Sequence, residues 1–478
     1  LFLFLYSTLR VASLPGVYRE NAFFIALLAA WLWSIHPIQT QAVTYIVQRM
    51  ASLAGMFYIM SMYLYLRART AAGGLHRGLF FGLCLLAALM AVGSKENAVL
   101  LPVSVALYEL FVLHNTPLGR LLQSHWKLLL LLLAVSVGGL LGYLELMQGG
   151  RILGLLRGYE HRIFGLEERL LTEPRIVLFY ISLLLYPHPS RLSISHHVET
   201  STSLLQPPAT LLSIGLIVLL VAGAFACRRR YPLMAFSVLF FFANHLVEST
   251  LIPIELIFEH RNYIPSMLFF LPFAMLLVRG VVSSRGKPIL RGLTTALVMV
   301  IPIGLGSAAY LRNFDWRTEK ALWLDAAAKS PDSWRPFHNV GMELLEEKKY
   351  AEALQWFQAA LGKENTTIHL EKFRTHYNIG VTFQAMGMPD AALSAYQRAL
   401  ERNPAMADAY VNRGVILMNR EEWSQALDDF QEALLIDPSL AEAHSNLGWL
   451  LFRFDQRSSG LRHLRKAVRL APEDLVTR

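Results

Sequence analysis

Four short polar stretches break up the apolar first half of the chain, and each carries side chains able to do chemistry. The densest is Phe258-Glu259-His260-Arg261-Asn262-Tyr263-Ile264-Pro265, set against the apolar run 266–278. A charged cluster against a membrane span is costly unless it lines a polar site. Arg261 is suited to holding a phosphate with two parallel hydrogen bonds, and Glu259 and His260 are acid–base groups beside it. Tyr263 fits a substrate contact or an interfacial anchor equally well. Lys95-Glu96 stands at the junction of two apolar runs, where lysine can meet a phosphate as a point charge and Glu96 can orient it or act as base. The alternative there is a snorkelling pair at the interface. His36-Pro37 through Arg49 is a proline-broken turn. His36, Gln39, Gln41 and Gln48 suit a sugar, and Arg49 is a further phosphate contact; the alternative is a plain helix connection. His188, His196 and His197, with His245-x-x-Glu248, have no spacing specific for a metal, and none is assigned.

These stretches are set in a chain that is 54% hydrophobic and 17% charged over 478 residues. That is too apolar for one soluble globule and points to several membrane spans. Residues 1–312 hold 24 Lys+Arg against 12 Asp+Glu, and 313–478 hold 20 against 23. The basic part is the apolar part, so its charge reports membrane topology rather than nucleic-acid binding. Runs able to span are 1–9, 21–36, 51–66, 78–93, 97–114, 127–147, 209–227, 232–249, 263–281 and 289–311. The run 176–186 lies between Pro174 and Pro187 and is too short, so an interfacial or re-entrant segment is expected there. Arg67, Arg69 and Arg77, then Arg228 to Arg230, then Arg279, Arg285, Lys287 and Arg291, mark three cytoplasmic loops. Counting spans between them requires that 176–186 does not cross. All four polar stretches, the loop 148–208 and everything after residue 312 then fall on the extracytoplasmic side. Ile163, Phe164, Leu166, Leu170 and Leu171 among Arg162, Glu167, Glu168 and Arg169 read as a surface-lying or an ordinarily packed helix. Cys84 and Cys227 lie in apolar runs, where no disulfide is expected.

The second half repeats. Gly380, Gly414 and Gly448 are spaced by 34 residues, and Gly341 precedes them by 39. In that register Ala353, Ala392, Ala426 and Gly460 coincide, as do Phe357, Tyr396, Phe430 and Leu464. Pro404, Pro438 and Pro472 close three units. This is the tetratricopeptide pattern of paired helices, giving four repeats in 334–478, the first extended around 365–369, behind a linker or half repeat at 313–333. Asn339, Asn378, Asn412 and Asn446 each stand two residues before the glycine. Such a ladder of amides can bind the backbone of an extended peptide, or it can satisfy polar groups between repeats.

Taken together, these features identify a resemblance. His36-Pro37-Ile38-Gln39-Thr40-Gln41-Ala42-Val43, Lys95-Glu96, Pro187-His188-Pro189-Ser190-Arg191-Leu192-Ser193 and Glu259 through Ser266, followed by the repeats, resemble the transmembrane and tetratricopeptide repeat-containing family of protein O-mannosyltransferases, and its bacterial relatives most. The resemblance implies an all-α fold, a polytopic helix bundle of the GT-C type followed by a repeat solenoid. It implies a polyprenyl-phosphate sugar as donor substrate, no cofactor, a protein hydroxyl as acceptor, and a place in a bacterial inner membrane. The family's essential acid lies on the first extracytoplasmic loop, which is expected before Leu1; within the chain Glu96 is the remaining candidate. Where the family often reads His-Pro-x-His-Thr-Glu-Ala-Val, this chain has Gln39 and Gln41, and proton transfer or metal binding by those two positions does not carry over. Two other readings stand beside the transferase. One is a membrane-anchored repeat scaffold for envelope or pilus assembly. The other is a ligase or polymerase of lipid-linked glycans.

Overall fold

A computed structural model describes residues 1–114, 158–363 and 372–472, apart from 12, 13, 15, 160, 161, 163, 251 and 285, together with positions 138 and 142. The expected span 127–147, apart from positions 138 and 142, Ile163 and the extension near 365–369 lie outside the described residues. Within them the secondary structure is helical, with no β-strand. The chain divides into two compact units, Leu1–Leu322 and Trp323–Arg478.

In the first unit the helices follow the apolar runs, because a helix satisfies every backbone group internally where no water is available. They are α1 (Phe2–Leu9), α2 (Ala22–Ser34), α3 (Arg49–Thr70), α4 (Gly74–Ser94), α5 (Leu101–Tyr108), α6 (Leu166–Leu185), α7 (Ala209–Cys227), α8 (Pro232–His245), α9 (Leu271–Ser283) and α10 (Pro288–Asp315). Among the described residues five stretches are long and apolar enough to cross a membrane: Gly74–Ser94, Glu96–Leu113, Ala209–Cys227, Pro265–Ser283 and Pro288–Asp315. The bent pair Ala22–Ser34 and Pro37–Thr44 makes a sixth if it is one broken span. α3 is longer than the run 51–66 from which it was expected, because Arg67, Arg69 and Thr70 continue the helix beyond the apolar residues.

α6 differs from expectation in a way that matters for the site. The amphipathic stretch and the short apolar run are one 20-residue helix with Pro174 inside it. Proline removes one intrahelical hydrogen bond, but Ile176, Val177 and Tyr180 just after it are buried, and their packing holds the turn together. The helix also buries Arg169, Thr172 and Glu173.

The second unit stacks four helix pairs: Trp334–Glu346 with Tyr350–Leu361, Lys372–Ala385 with Pro389–Arg402, Ala407–Asn419 with Trp423–Ile436, and Ala441–Arg453 with Arg457–Leu470. Sterics at the repeat glycines set the closeness of each pair. A Cβ on Gly341 would meet Phe357 at 2.6 Å, one on Gly380 would meet Tyr396 at 2.5 Å, and one on Gly414 would meet Phe430 at 2.8 Å. The turns between paired helices share a further feature. Lys348, Gly387, Glu421 and Asp455 all have positive φ, between 59° and 72°, and each stands seven residues after its unit's glycine.

Candidate functional site

The sequence Phe258 to Pro265 enters the site as a buried 3-10 turn, Glu259–Asn262, and not as an exposed loop. The non-helical residues that lead into it, 246–250 and 252–258, carry carbonyls that no helix or sheet satisfies, and beside an apolar bundle these need donors. Three arginines supply them. Arg169 donates from Nε to the Thr250 carbonyl at 3.0 Å, from Nη1 to Ile254 at 2.6 Å and from Nη2 to Glu248 at 2.5 Å. Arg261 donates to the carbonyls of Leu256 and Glu255, and Arg162 to that of Pro253 and to the Glu255 carboxylate. The guanidinium fork suits this work because its donors point in fixed, divergent directions.

Glu259 is 1% exposed. Its Oε1 accepts from the Ser193 amide at 2.6 Å and faces His196 Nε2 at 3.0 Å. The carboxylate therefore ties the Pro187–Ser193 motif to the Glu259–Asn262 turn. Gln41 Oε1 accepts from the His260 amide at 2.9 Å, and Gln39 Nε2 donates to Ser266 Oγ at 3.1 Å. These contacts bring three of the four polar stretches together. The fourth joins through Lys95, whose ammonium meets Glu248 Oε1, while Asn97 Nδ2 donates to Oε2 of the same carboxylate at 3.2 Å.

Several side chains expected to touch a ligand have structural partners instead. His36 accepts from the Ile38 amide at Nδ1, so its Nε2 carries the proton and donates to the Leu184 carbonyl at 3.1 Å. His188 repeats the device, its Nδ1 accepting from the Ser190 amide. Both His-Pro pairs are thus N-caps of 3-10 turns, which is why proline follows. The Tyr263 ring packs 5.0 Å from Trp33 and lies so close to Gly55 that a Cβ there would come within 2.7 Å of it. Arg49 is exposed at the start of α3, and Glu96 is half-buried at the start of the turn Glu96–Leu100.

Burial and charge set the acid–base state of two groups. Burial, reinforced by the Lys95 ammonium, lowers His260 to about 3, and its Nδ1 has no hydrogen-bond partner. Burial raises Glu173 to about 7, although Arg169 and Arg261 pull it down. Arg169 Nη2 stands 2.8 Å from Glu173 Oε1 but off the line of a hydrogen bond, and neither carboxyl oxygen has an aligned donor. A carboxyl in this state exchanges a proton near neutral pH.

In the repeats, two of the four ladder amides are used within the array. Asn412 Nδ2 donates to Tyr377 Oη at 3.0 Å, and Asn378 Nδ2 faces His338 Nε2 at 3.4 Å. Asn446 Nδ2 is buried without a partner, and Asn339 is half-buried.

In the sequence Arg169 reads as one residue of an amphipathic helix, Glu173 does not stand out, and Glu248 pairs with His245 only at a spacing unspecific for a metal. The available signal was the density of charge on 167–175 beside a run too short to span. Among the described residues no group of three His, Cys, Asp or Glu side chains is placed to hold a metal ion.

Comparison with known proteins follows the same two-part division. Residues 377–441 match the tetratricopeptide repeat family. The chain is 25% identical over 419 residues to protein O-mannosyl-transferase Tmtc3 of Drosophila melanogaster, covering 78% of this chain and 44% of that protein. It is 24% identical over 420 residues to TMTC3 of Mus musculus, covering 79% and 43%. The chain resembles protein O-mannosyl-transferases. A match over 78% of the chain exceeds either compact unit alone, so the likeness runs through both the helix bundle and the repeats. The chain spans less than half the length of these relatives. Among solved structures it is similar to YrrB, described as a TPR protein with an unusual peptide-binding site, at 21% identity, 42% of this chain, 94% of that one and a TM-score of 0.27. It is also similar to PilF of Pseudomonas aeruginosa, at 18%, 42%, 92% and 0.31.

Proposed function

We propose that this chain is part of a membrane glycosyltransferase that takes a sugar, mannose, from a polyprenyl-phosphate carrier and transfers it to a protein hydroxyl on the extracytoplasmic face. The observation that carries the reading is the likeness to protein O-mannosyl-transferases through both units. The acceptor oxygen attacks the anomeric carbon, the bond from that carbon to the phosphate oxygen breaks, and the polyprenyl phosphate leaves with the electron pair. Within the chain, Glu96 is the candidate for the base that takes the hydroxyl proton. Cations placed where the leaving phosphate gains charge lower the barrier. Lys95 has three donors and spends one on Glu248, so it can offer the others to the phosphate. Arg261, whose donors go to carbonyls, acts through its field and by fixing the turn. Arg49 is the exposed cation of the set. His36, Gln39, Glu259, His260 and Tyr263 shape the wall against which the sugar rests. The repeats hold the acceptor polypeptide, with the half-buried Asn339 the ladder amide placed to meet it.

In the purified full-length gene product, K95M/E248L, which removes the Lys95 ammonium without stranding the Glu248 carboxylate, is expected to lower the transfer rate by at least about 100-fold, the loss of one charge-stabilising donor, with the melting temperature held within a few degrees. A variant that melts normally and transfers at the parental rate would remove Lys95 from the reaction. One observation favours the second reading, a membrane-anchored repeat scaffold: the donors of Arg169 and Arg261 go to the protein's own backbone. On that reading neither donor lipid nor acceptor is turned over, and the repeats alone carry the partner interaction.

A further inference from the structure

Between α5, α6, α7 and α8 lies a cavity of about 470 Å³. Its walls are apolar, with Leu107, Val221 and Leu239 among them, and Leu246 beside it is 54% exposed. Three of its lining residues differ from the rest. Glu173, His245 and Ser249 are 2%, 3% and 9% exposed, and both Glu173 oxygens, both His245 nitrogens and Ser249 Oγ have no hydrogen-bond partner. Ser249 lies near Glu173 and Asn262 near His245, but neither pair makes a bond of ordinary geometry. Buried polar groups left without partners are rare and costly. His245 and Ser249 without partners, beside a Glu173 carboxyl that has the Arg169 ion pair but no hydrogen bond, line one cavity beneath apolar walls and form a complementary surface for a ligand with one polar end.

We propose that this cavity binds a single long-chain alcohol drawn from the bilayer, its apolar chain between α5 and α8 and its hydroxyl among Glu173, His245 and Ser249. The volume suits one chain, about 16 heavy atoms at about 30 Å³ each, and not a two-chain lipid. α5 and α7 belong to stretches long and apolar enough to cross a membrane and α8 is a shorter apolar helix, so the occupant is an amphiphile. A hydroxyl both donates and accepts, which matches a carboxyl that exchanges its proton near neutral pH, an imidazole and a serine. An anionic head is disfavoured. The cavity lining holds no lysine or arginine, and the nearby Arg169 spends its donors on the carbonyls of residues 248, 250 and 254 and its charge on Glu173. This inference does not rest on the transferase reading.

The test uses the purified chain in lipid nanodiscs with a photoactivatable hexadecanol carrying a diazirine near its tail. Labelled peptides are expected within α5 to α8, and unlabelled hexadecanol is expected to compete while hexadecyl phosphate at the same concentration does not. Glu173→Leu, which removes the polar partner, and Val221→Trp, which fills the space, should each cut labelling about tenfold, the effect of roughly 1.4 kcal/mol. Glu173→Gln, which keeps hydrogen bonding, should label within about twofold of the parent and so reports whether loss of the acid alone unfolds the region. Equal competition by hexadecyl phosphate would overturn the neutral-head assignment. Labelling that is absent, or unchanged in both Glu173→Leu and Val221→Trp, would overturn the site itself.

Discussion

Lys95 Nζ lies 2.7 Å from Glu248 Oε1, and the two side chains are 9% and 3% exposed. This pair joins two polar stretches 153 residues apart in sequence. A buried pair adds little net stability, but removing one partner strands the other charge. K95A or E248A alone is therefore expected to destabilise the first unit by about 3–5 kcal/mol, while a K95M/E248L double variant should recover most of that loss. Thermal melts of the four proteins in one detergent make the double-mutant cycle. Additive losses would show that the two charges do not interact.

Arg169 carries the segment 248–254 through three carbonyls and is fully buried. Lysine keeps the charge but cannot reach three divergent acceptors. R169K is expected to cost about 3 kcal/mol, from two or more buried carbonyls left unpaired. It should also speed amide exchange in residues 246–262 ahead of the rest of the unit, as followed by hydrogen–deuterium exchange with mass spectrometry. Uniform exchange across the unit would mean that the arginine is not the local clamp.

The left-handed turns offer a test within the repeats. An L-residue pays about 1–2 kcal/mol to sit in that region, whereas glycine does not. Glu421→Gly and Asp455→Gly are expected to stabilise their units by up to about 1 kcal/mol, and Gly387→Ala to destabilise by about as much or more. Chemical denaturation of the same protein measures both signs. Gly414→Ala should be worse, because its Cβ would sit 2.8 Å from the Phe430 ring, an overpacking cost of about 1–3 kcal/mol.

His338 sets a pH limit. Burial, with Arg374 nearby, lowers it to about 4, and Asn378 donates toward its Nε2, so the folded repeats hold it neutral. Unfolded histidine takes up a proton near 6.5, hence the unfolded state binds more protons between pH 6.5 and 4 and stability falls as pH drops through that window. The slope is at most about 1.4 kcal/mol per pH unit for this residue. H338N should flatten it in a melt series from pH 7 to 4, with unaltered steepness assigning the effect elsewhere.

Much of the fold was legible because its causes are periodic. The repeat glycines and the aromatic residues opposite them announce helix pairs that approach closely, and the apolar runs announce helices near membrane length. The polar site was legible only in part. Glu259, His260, Arg261 and Lys95 stood out as charges beside apolar runs. The residues that hold them, Arg169 and Glu248, act on main-chain carbonyls and on a partner 153 residues away, and such pairings leave no local pattern. His36 and His188 were read for their chemistry, yet each is followed by proline and caps a turn. The left-handed turn seven residues past each repeat glycine went unnoticed because only Gly387 among the four declares it by residue type.

The central claim is transfer of a sugar from a lipid phosphate to protein. The direct measurement incubates the purified full-length gene product, in nanodiscs, with a polyprenyl-phosphate mannose and an acceptor polypeptide, and follows the acceptor by intact mass and site mapping. Gain of one hexose on Ser or Thr, dependent on the donor and lost in the K95M/E248L variant, is the predicted result. A folded protein that leaves the acceptor mass unchanged while the repeats still bind it would contradict the transferase account and support the scaffold.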